Sequence, residues 1–335
     1  MVKYFYIIVL LVISPLWASK DEITPYKFTD SLPAYEIPAS SRFVTKRSET
    51  GAPEIVYYLT CPKEVTFPIA ILCEGSSDKN NIVSVIHFHR YFLQEFMDLG
   101  AAVITIEQCG VDGNQINEDE FIKHYTRTQR LEDHRSVIEY LKKYPIQGWN
   151  GKFIFLGVSE GGPLATSLTA EYNDDTIATI NWSGAGDWSW REELWVFLQQ
   201  LLEDNPECPH SINLRDCRSC SEVISSRASY DVLLNSILSN PTPEEYFLNM
   251  TYLYHADALN FPSPEYHKLI KPFLVVAGCL DTTIASSDAF VEKASHARSN
   301  ITYLRIPDMD HYIRKRQDVI EASFKWLQGQ IQSPQ

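Results

Sequence analysis

At 335 residues, with 44% apolar and 21% charged side chains, the chain can bury the core of one large α/β domain or two smaller ones. Its 29 basic residues stand against 43 acidic ones, and the formal net charge of −14 repels nucleic-acid phosphates and anionic lipid headgroups. There is no low-complexity tract, G-X-Y period, sustained heptad or solenoid-length repeat, so disorder, collagen, coiled coil and repeat arrays drop out.

The first segment stands apart from the rest. A lone Lys3 precedes an apolar run from Tyr4 to Trp17, and the chain turns polar at Ser19. The run is shorter than the roughly 20 residues a spanning helix needs, Pro15 interrupts it, and Ala18 offers a small residue for cleavage. Residues 1–18 therefore read as a secretory signal peptide, with an uncleaved N-terminal anchor as the rival. The mature chain, 19–335, is expected to be secreted or periplasmic, with no stable membrane insertion.

After a Pro-containing leader, strands are expected at Arg42–Arg47, Glu54–Thr60 and Pro68–Cys73, the last a continuous apolar run typical of a buried parallel strand. Residues 82–99 carry a broad apolar helical face that stops at Gly100. Ala101–Ile106 is the next strand, and residues 128–143 the next helix. Strands at Lys152–Leu156, Thr176–Trp182, Pro272–Ala277 and Ile301–Ile306 follow, and a helix over about Asp318–Gln328 closes the chain. Strands alternating with helices predict a doubly wound, mostly parallel α/β sheet, whose ligands sit at the carboxyl ends of the strands. The alternation lapses between about 187 and 268, where a mainly helical insertion is expected to cap those strand ends.

Cys61, Cys73, Cys109 and Cys279 lie in or beside strand-like runs, where cysteine behaves as a small buried hydrophobe. Cys208, Cys217 and Cys220 share a polar stretch. A disulfide among them is the plain reading in an oxidising compartment, and a Cys208/His210/Cys217/Cys220 zinc site the sharper alternative. Asn181, Asn249 and Asn300 open glycosylation-type triplets that matter only in a eukaryotic source.

The chemistry concentrates after the strand KFIFL. There the chain reads Gly157-Val158-Ser159-Glu160-Gly161-Gly162-Pro163 and continues into an Ala/Leu-rich helix. A strand, a turn so tight that small residues flank the serine, and then a helix make a nucleophile elbow. Such a turn exposes the Ser159 hydroxyl and aims the Glu160 N–H, with the helix's positive end, at a developing oxyanion. The serine needs a base. Of nine histidines, His311 sits just beyond the last strand, where a loop reaches the carboxyl edge; His87, His89 and His134 fall in helices, and His210, His255 and His267 in the insertion. Asp281, just past the strand Pro272–Ala277, is the expected acid and Asp187 its runner-up, while Asp308 and Asp310 are expected to shape the His311 loop.

These motifs resemble the α/β-hydrolase superfamily over roughly residues 40–330. The strand–GVSEGG–helix element is most similar to the branch of dienelactone-hydrolase-like esterases and prolyl-oligopeptidase-like serine peptidases. The resemblance implies a second oxyanion N–H from the loop after the third strand, which here reads Cys73-Glu74-Gly75-Ser76-Ser77. It assigns that donor to Ser76, with Glu74 standing where the family often has His. The resemblance further implies an ester, thioester or peptide-like acyl substrate, handled without a metal or organic cofactor. Four of the seven tryptophans (Trp182, Trp188, Trp190 and Trp195) fall just after a strand end. They are expected to line an acyl or aromatic pocket above Ser159, Trp182 and Trp188 foremost. The alternative is a helix face packing on the body, formed by Leu194, Trp195, Leu198, Leu201 and Leu202. Tyr246, Tyr252 and Tyr254 divide in the same way.

The expectation is thus an exported serine hydrolase with the triad Ser159, Asp281 and His311. A serine peptidase, an acyltransferase and a catalytically inactive binding protein on the same fold are its alternatives.

Overall fold

The computed structural model describes residues 41–47, 52–63, 66–113, 115–204 and 226–332. The signal segment and the Cys208, Cys217 and Cys220 cluster lie outside them. The chain runs β1 (Ser41–Thr45), β2 (Ile55–Thr60) and β3 (Phe67–Cys73), then helices α1 (Ile86–Tyr91) and α2 (Leu93–Asp98) before β4 (Ala102–Ile106). A two-residue ribbon, β5 (Val111–Asp112) and β6 (Gln115–Ile116), leads into α3 (Glu118–His124) and α4 (Arg127–Lys143). Then come β7 (Trp149–Val158), α5 (Gly161–Glu171) and β8 (Thr176–Trp182). After β8 the insertion contains α6 (Trp190–Asp204), α7 (Arg227–Ser239), the ribbon β9 (Tyr246–Phe247) and β10 (Met250–Thr251), and α8 (Tyr252–Asn260). Strand β11 (Phe273–Gly278), α9 (Ile284–His296), β12 (Ile301–Ile306) and α10 (Gln317–Gln332) complete it.

Eight strands form one sheet in the order β1-β2-β4-β3-β7-β8-β11-β12. The first two pairings, β1 with β2 and β2 with β4, are antiparallel, and every pairing from β4 to β12 is parallel. The parallel strands are buried on both faces, and their side chains divide between the faces by period two. In β3, Ala70 and Leu72 join Phe88, Phe92 and Phe96 of the first connection and Val319, Phe324 and Leu327 of α10. Ile69, Ile71 and Cys73 point the other way, onto Leu131, Val137 and Ile138 of α4 and Leu164 and Leu168 of α5. On that second side α9 packs Phe290 and Ala294 against Phe273 and Val275. With helices on both faces, only the ends of the sheet are open to a ligand.

The main departure from the expected elements is in residues 82–99, which break into α1 and α2 at Phe92 (φ −108°). The break lets the ring drop into the core, 5.0 Å from Trp182 and 6.2 Å from Phe324. Helix α4 starts one residue earlier than its apolar face suggests, because the Thr126 hydroxyl accepts from Gln129 N–H and supplies the cap. The insertion has a core of its own, in which Trp190, Leu194, Phe197, Tyr230, Phe247 and Tyr254 pack with Val111, Phe121 and Tyr125 of the β4–α4 connection.

Candidate active site

Three loops at the carboxyl ends of β7, β11 and β12 meet. Ser159, one residue beyond β7, has φ +52°. A non-glycine residue holds that angle only where its surroundings enforce it. Here its N–H donates to Trp182 O at 2.9 Å and its carbonyl accepts from Gly162 N–H at 2.8 Å. The close passage of the turn against β3 requires glycine at 161, where a Cβ would stand 2.0 Å from Cys73 O. Gly278, the last residue of β11, plays the matching part for the other two loops, since a Cβ there would stand 2.1 Å from Met309 O. The Asp281 and His311 loops therefore lie backbone against backbone.

His311 Nε2 is 3.0 Å from Ser159 Oγ, and its Nδ1 is 2.7 Å from Asp281 Oδ2. The other Asp281 oxygen accepts from both the N–H and the hydroxyl of Thr283, each at 2.9 Å. Burial pushes the Asp281 carboxyl up. The His311 charge and hydrogen bond, together with the Thr283 donors, outweigh it and hold the group below the usual carboxylate value. An ionised Asp281 can only accept, so Nδ1 carries the proton and Nε2 is left as the acceptor facing Ser159.

The runner-up acid is engaged elsewhere, with Asp187 accepting from Tyr266 and lying 2.5 Å from Lys293 Nζ. Asp310 accepts the Tyr312 N–H at 2.8 Å and pairs with Lys315, and Asp308 pairs with Arg316. Both fold the loop that carries His311.

A cavity of about 80 Å³ opens beside the triad, lined by Ser76, Ser159, Glu160 and His311 from the body. Trp190, Glu193, Leu194 and Phe197 of α6 and Tyr254 of α8 line it from the insertion, with Arg127 of α4. Ser76 and Glu160 thus border the same space as the Ser159 hydroxyl. The tryptophan in that lining is Trp190, and the expectation for Trp182 and Trp188 is corrected. Trp182 shares the strand parity of Ile180 and faces the Phe92 and Phe324 side of the sheet, where its indole donates to Ser323 Oγ at 3.0 Å. Trp188 is half-buried outside the cavity, its backbone N–H donating to Ser286 Oγ. Arg127 and Glu193 carried no sequence signal, because neither sits in a motif or at a strand end.

Glu74, where the resemblance suggested a histidine, is buried without lining the cavity. Burial pushes its carboxyl up to about 8, against the pull of Arg314 and Arg130. The four described cysteines, Cys61, Cys73, Cys109 and Cys279, are free. Among the described residues one group has metal-ligand side chains in reach of one another, Cys109, Glu120 and His124, with ligand atoms within 4.8 Å. None of the three lines the cavity. No helix of the described residues is long and apolar enough to cross a membrane.

No protein-family model matches the sequence, and no curated protein matches it. Solved structures do match its fold. The chain is similar to a highly thermostable carboxyl esterase from Bacillus coagulans in complex with glycerol, with a TM-score of 0.57 and 14% identity over 87% of this chain and 99% of that one. It is similar to Est1E from Butyrivibrio proteoclasticus, with a TM-score of 0.52 and 16% identity over 87% and 99% of the two chains. The acylaminoacyl peptidase of Pyrococcus horikoshii matches with a TM-score of 0.53 and 12% identity, over 88% of this chain and 41% of that one. The chain has the α/β-hydrolase fold, and its mostly parallel eight-stranded sheet is the one expected of that fold.

Proposed function

We propose that this α/β-hydrolase fold carries a serine hydrolase that cleaves an ester or another acyl bond through an acyl-enzyme intermediate. The observation that supports it is the unbroken chain of hydrogen bonds Ser159–His311–Asp281, ending in a strained turn at the wall of a cavity. His311 Nε2 takes the Ser159 proton as Oγ attacks the substrate carbonyl carbon. The oxyanion forms against the Glu160 and Ser76 N–H groups and the N-terminal end of α5. The tetrahedral intermediate collapses, the carbon–oxygen (or carbon–nitrogen) bond breaks, and the leaving group departs with the proton from His311. Water then repeats the sequence on the acyl-enzyme, releasing the acid and regenerating Ser159. Asp281 stays ionised throughout and stabilises the imidazolium. The reading extends to export, with residues 1–18 removed as a signal peptide.

A fluorophosphonate probe is expected to label the wild-type protein at Ser159 and not the Ser159→Ala variant, whose ester turnover should fall by about a millionfold. A folded wild-type protein that fails to label would make it a binding protein on this fold. A panel of p-nitrophenyl esters beside aminoacyl-naphthylamides sorts the substrate class. Ester turnover alone is the expected outcome, and comparable amide turnover would make it a peptidase.

A further inference from the structure

The side chain of Glu160, which borders the cavity, is tied into a buried network. Its carboxylate is buried, 6% exposed, and holds four partners. Oε1 accepts from the Tyr254 hydroxyl and from Arg127 Nε at 3.3 Å, and Oε2 from the Tyr125 hydroxyl at 2.7 Å and Arg130 Nη1 at 2.9 Å. Burial alone would raise this carboxyl, and the Arg130 and Arg127 charges turn the balance and hold it low. A buried charge so thoroughly compensated is a fixed point.

Two of the partners do not stop at Glu160. The Tyr125 hydroxyl also accepts the N–H of Ser77 at 2.9 Å. Arg130 also donates, through Nη2, to the carbonyl of Glu74 at 2.5 Å. Ser77 N–H and Glu74 C=O bracket Ser76 on its two sides. One carboxylate, on the residue that supplies the first oxyanion N–H, thus reaches by two separate routes the backbone flanking the second. Tyr125 is itself held by stacking, 4.5 Å from the Phe121 ring and 5.5 Å from the Tyr254 ring, nearly parallel to the latter.

We infer that Tyr125 and Arg130 are positioning residues that, through the Glu160 carboxylate, set the separation between the Glu160 and Ser76 N–H groups and so tune the oxyanion site. The inference rests on the serine hydrolase reading above. Neither side chain acts on the reacting atoms. Their effect is on donor geometry, which a transition state feels more than a bound substrate does, because oxyanion donors reward only the position the charged oxygen will occupy.

Tyr125→Phe keeps the stacked ring and removes the hydroxyl that joins Ser77 to Glu160. The expected result is a fall of about 10- to 100-fold in kcat on a p-nitrophenyl ester with KM within about 3-fold, part of what loss of a whole oxyanion donor costs. The second-order rate of fluorophosphonate labelling should fall in step. Arg130→Lys, whose ammonium cannot span Glu160 and Glu74 as the guanidinium fork does, should lower kcat in the same direction with KM again held. A variant that melts earlier while keeping wild-type kcat, KM and labelling rate at 25 °C overturns the inference. So does a rise in KM at constant kcat. Wild-type protein that does not label removes the hydrolase reading and this inference with it. Wild-type labelling with an unaltered Tyr125→Phe rate removes this inference alone.

Discussion

The sheet-bearing body and the insertion between β8 and β11 reach the same cavity by different physics. In the body, residues 55–60, 67–73 and 102–106 are buried throughout, and each chemical group stands within a few residues of a strand end. Ser159 follows β7, Asp281 follows β11 and His311 follows β12. Because β11 and β12 are parallel neighbours in register from Phe273–Ile301 to Gly278–Ile306, the loops that leave them are neighbours too. The insertion has its own smaller apolar core, with Leu194, Leu234 and Met250 in it, and adds ring pairs and surface charge. Trp190 donates to His255, Trp195 packs on Tyr230 at 5.2 Å, and Arg227 pairs with Glu192. Surface pairs of this kind contribute about 0–1 kcal/mol each, against about 1.5–3 kcal/mol for burying a large apolar side chain. That contrast underlies the proposed division, with chemistry in the body and choice of substrate in the insertion.

The largest test of that division lies at the two aspartates. Asp281→Asn should cut kcat by about ten-thousandfold, since the imidazole would lose both its tautomer and its counter-charge. Asp187→Asn, at the entrance to the insertion and tied to Lys293 and Tyr266, should leave kcat within about 3-fold. Equal losses would erase the boundary between the two regions.

A smaller effect is expected inside the insertion. Leu194→Ala enlarges the cavity from the α6 side and removes none of the groups in the Ser159–His311–Asp281 hydrogen-bond chain. It should shift kcat/KM between short and long p-nitrophenyl esters by about 10-fold while fluorophosphonate labelling stays near the wild-type rate. A uniform loss across chain lengths would move α6 from selection to catalysis.

The last test is of stability and belongs to the body. Glu74 titrates near 4.3 in an unfolded chain and is pushed up to about 8 in the folded one. Between those values the unfolded state gives up a proton that the native state keeps. The wild-type protein therefore loses stability as pH rises through that window. Glu74→Gln has nothing to titrate. Its melting temperature relative to wild type should rise steadily from pH 4.5 to 8 and level off below, as read by thermal unfolding. A difference constant with pH would mean that Arg314 and Arg130 keep Glu74 ionised.

Much of the body was legible from residue order. The strand periodicity marked the sheet, and Gly157-Val158-Ser159-Glu160-Gly161 could be recognised because a strand, a turn built of small residues and a helix have one local solution. His311 could be picked out by its place after the last strand, while strand ends left Asp281 and Asp187 both open as its partner. What escaped depended on partners distant in sequence. Trp182 and Trp190 stand eight positions apart, and which of them meets the cavity is decided by the face of β8 that α10 covers, a fact not written in β8. The break at Phe92 has a similar origin, since the local pattern favours one continuous helix and the rings of Trp182 and Phe324 favour two. Helix α9 gives little apolar signal because IASSDAFVEKASH fully buries only Ser286, Ser287, Phe290 and Ala294, two of them serines. Arg127 and Glu193 became visible only when α4 and α6 were brought to one wall.

The Tyr254 hydroxyl on Glu160 has a consequence for how freely this protein could be re-equipped. An insertion of this size between two strands invites exchange, because a foreign segment could in principle be spliced in to confer a new appetite on an old catalyst. Here the graft would not be neutral to the host. Removing α8 withdraws a hydrogen bond from the carboxylate beside Ser159 and uncovers one face of Tyr125. A successful donor segment would have to bring an aromatic hydroxyl to that same spot.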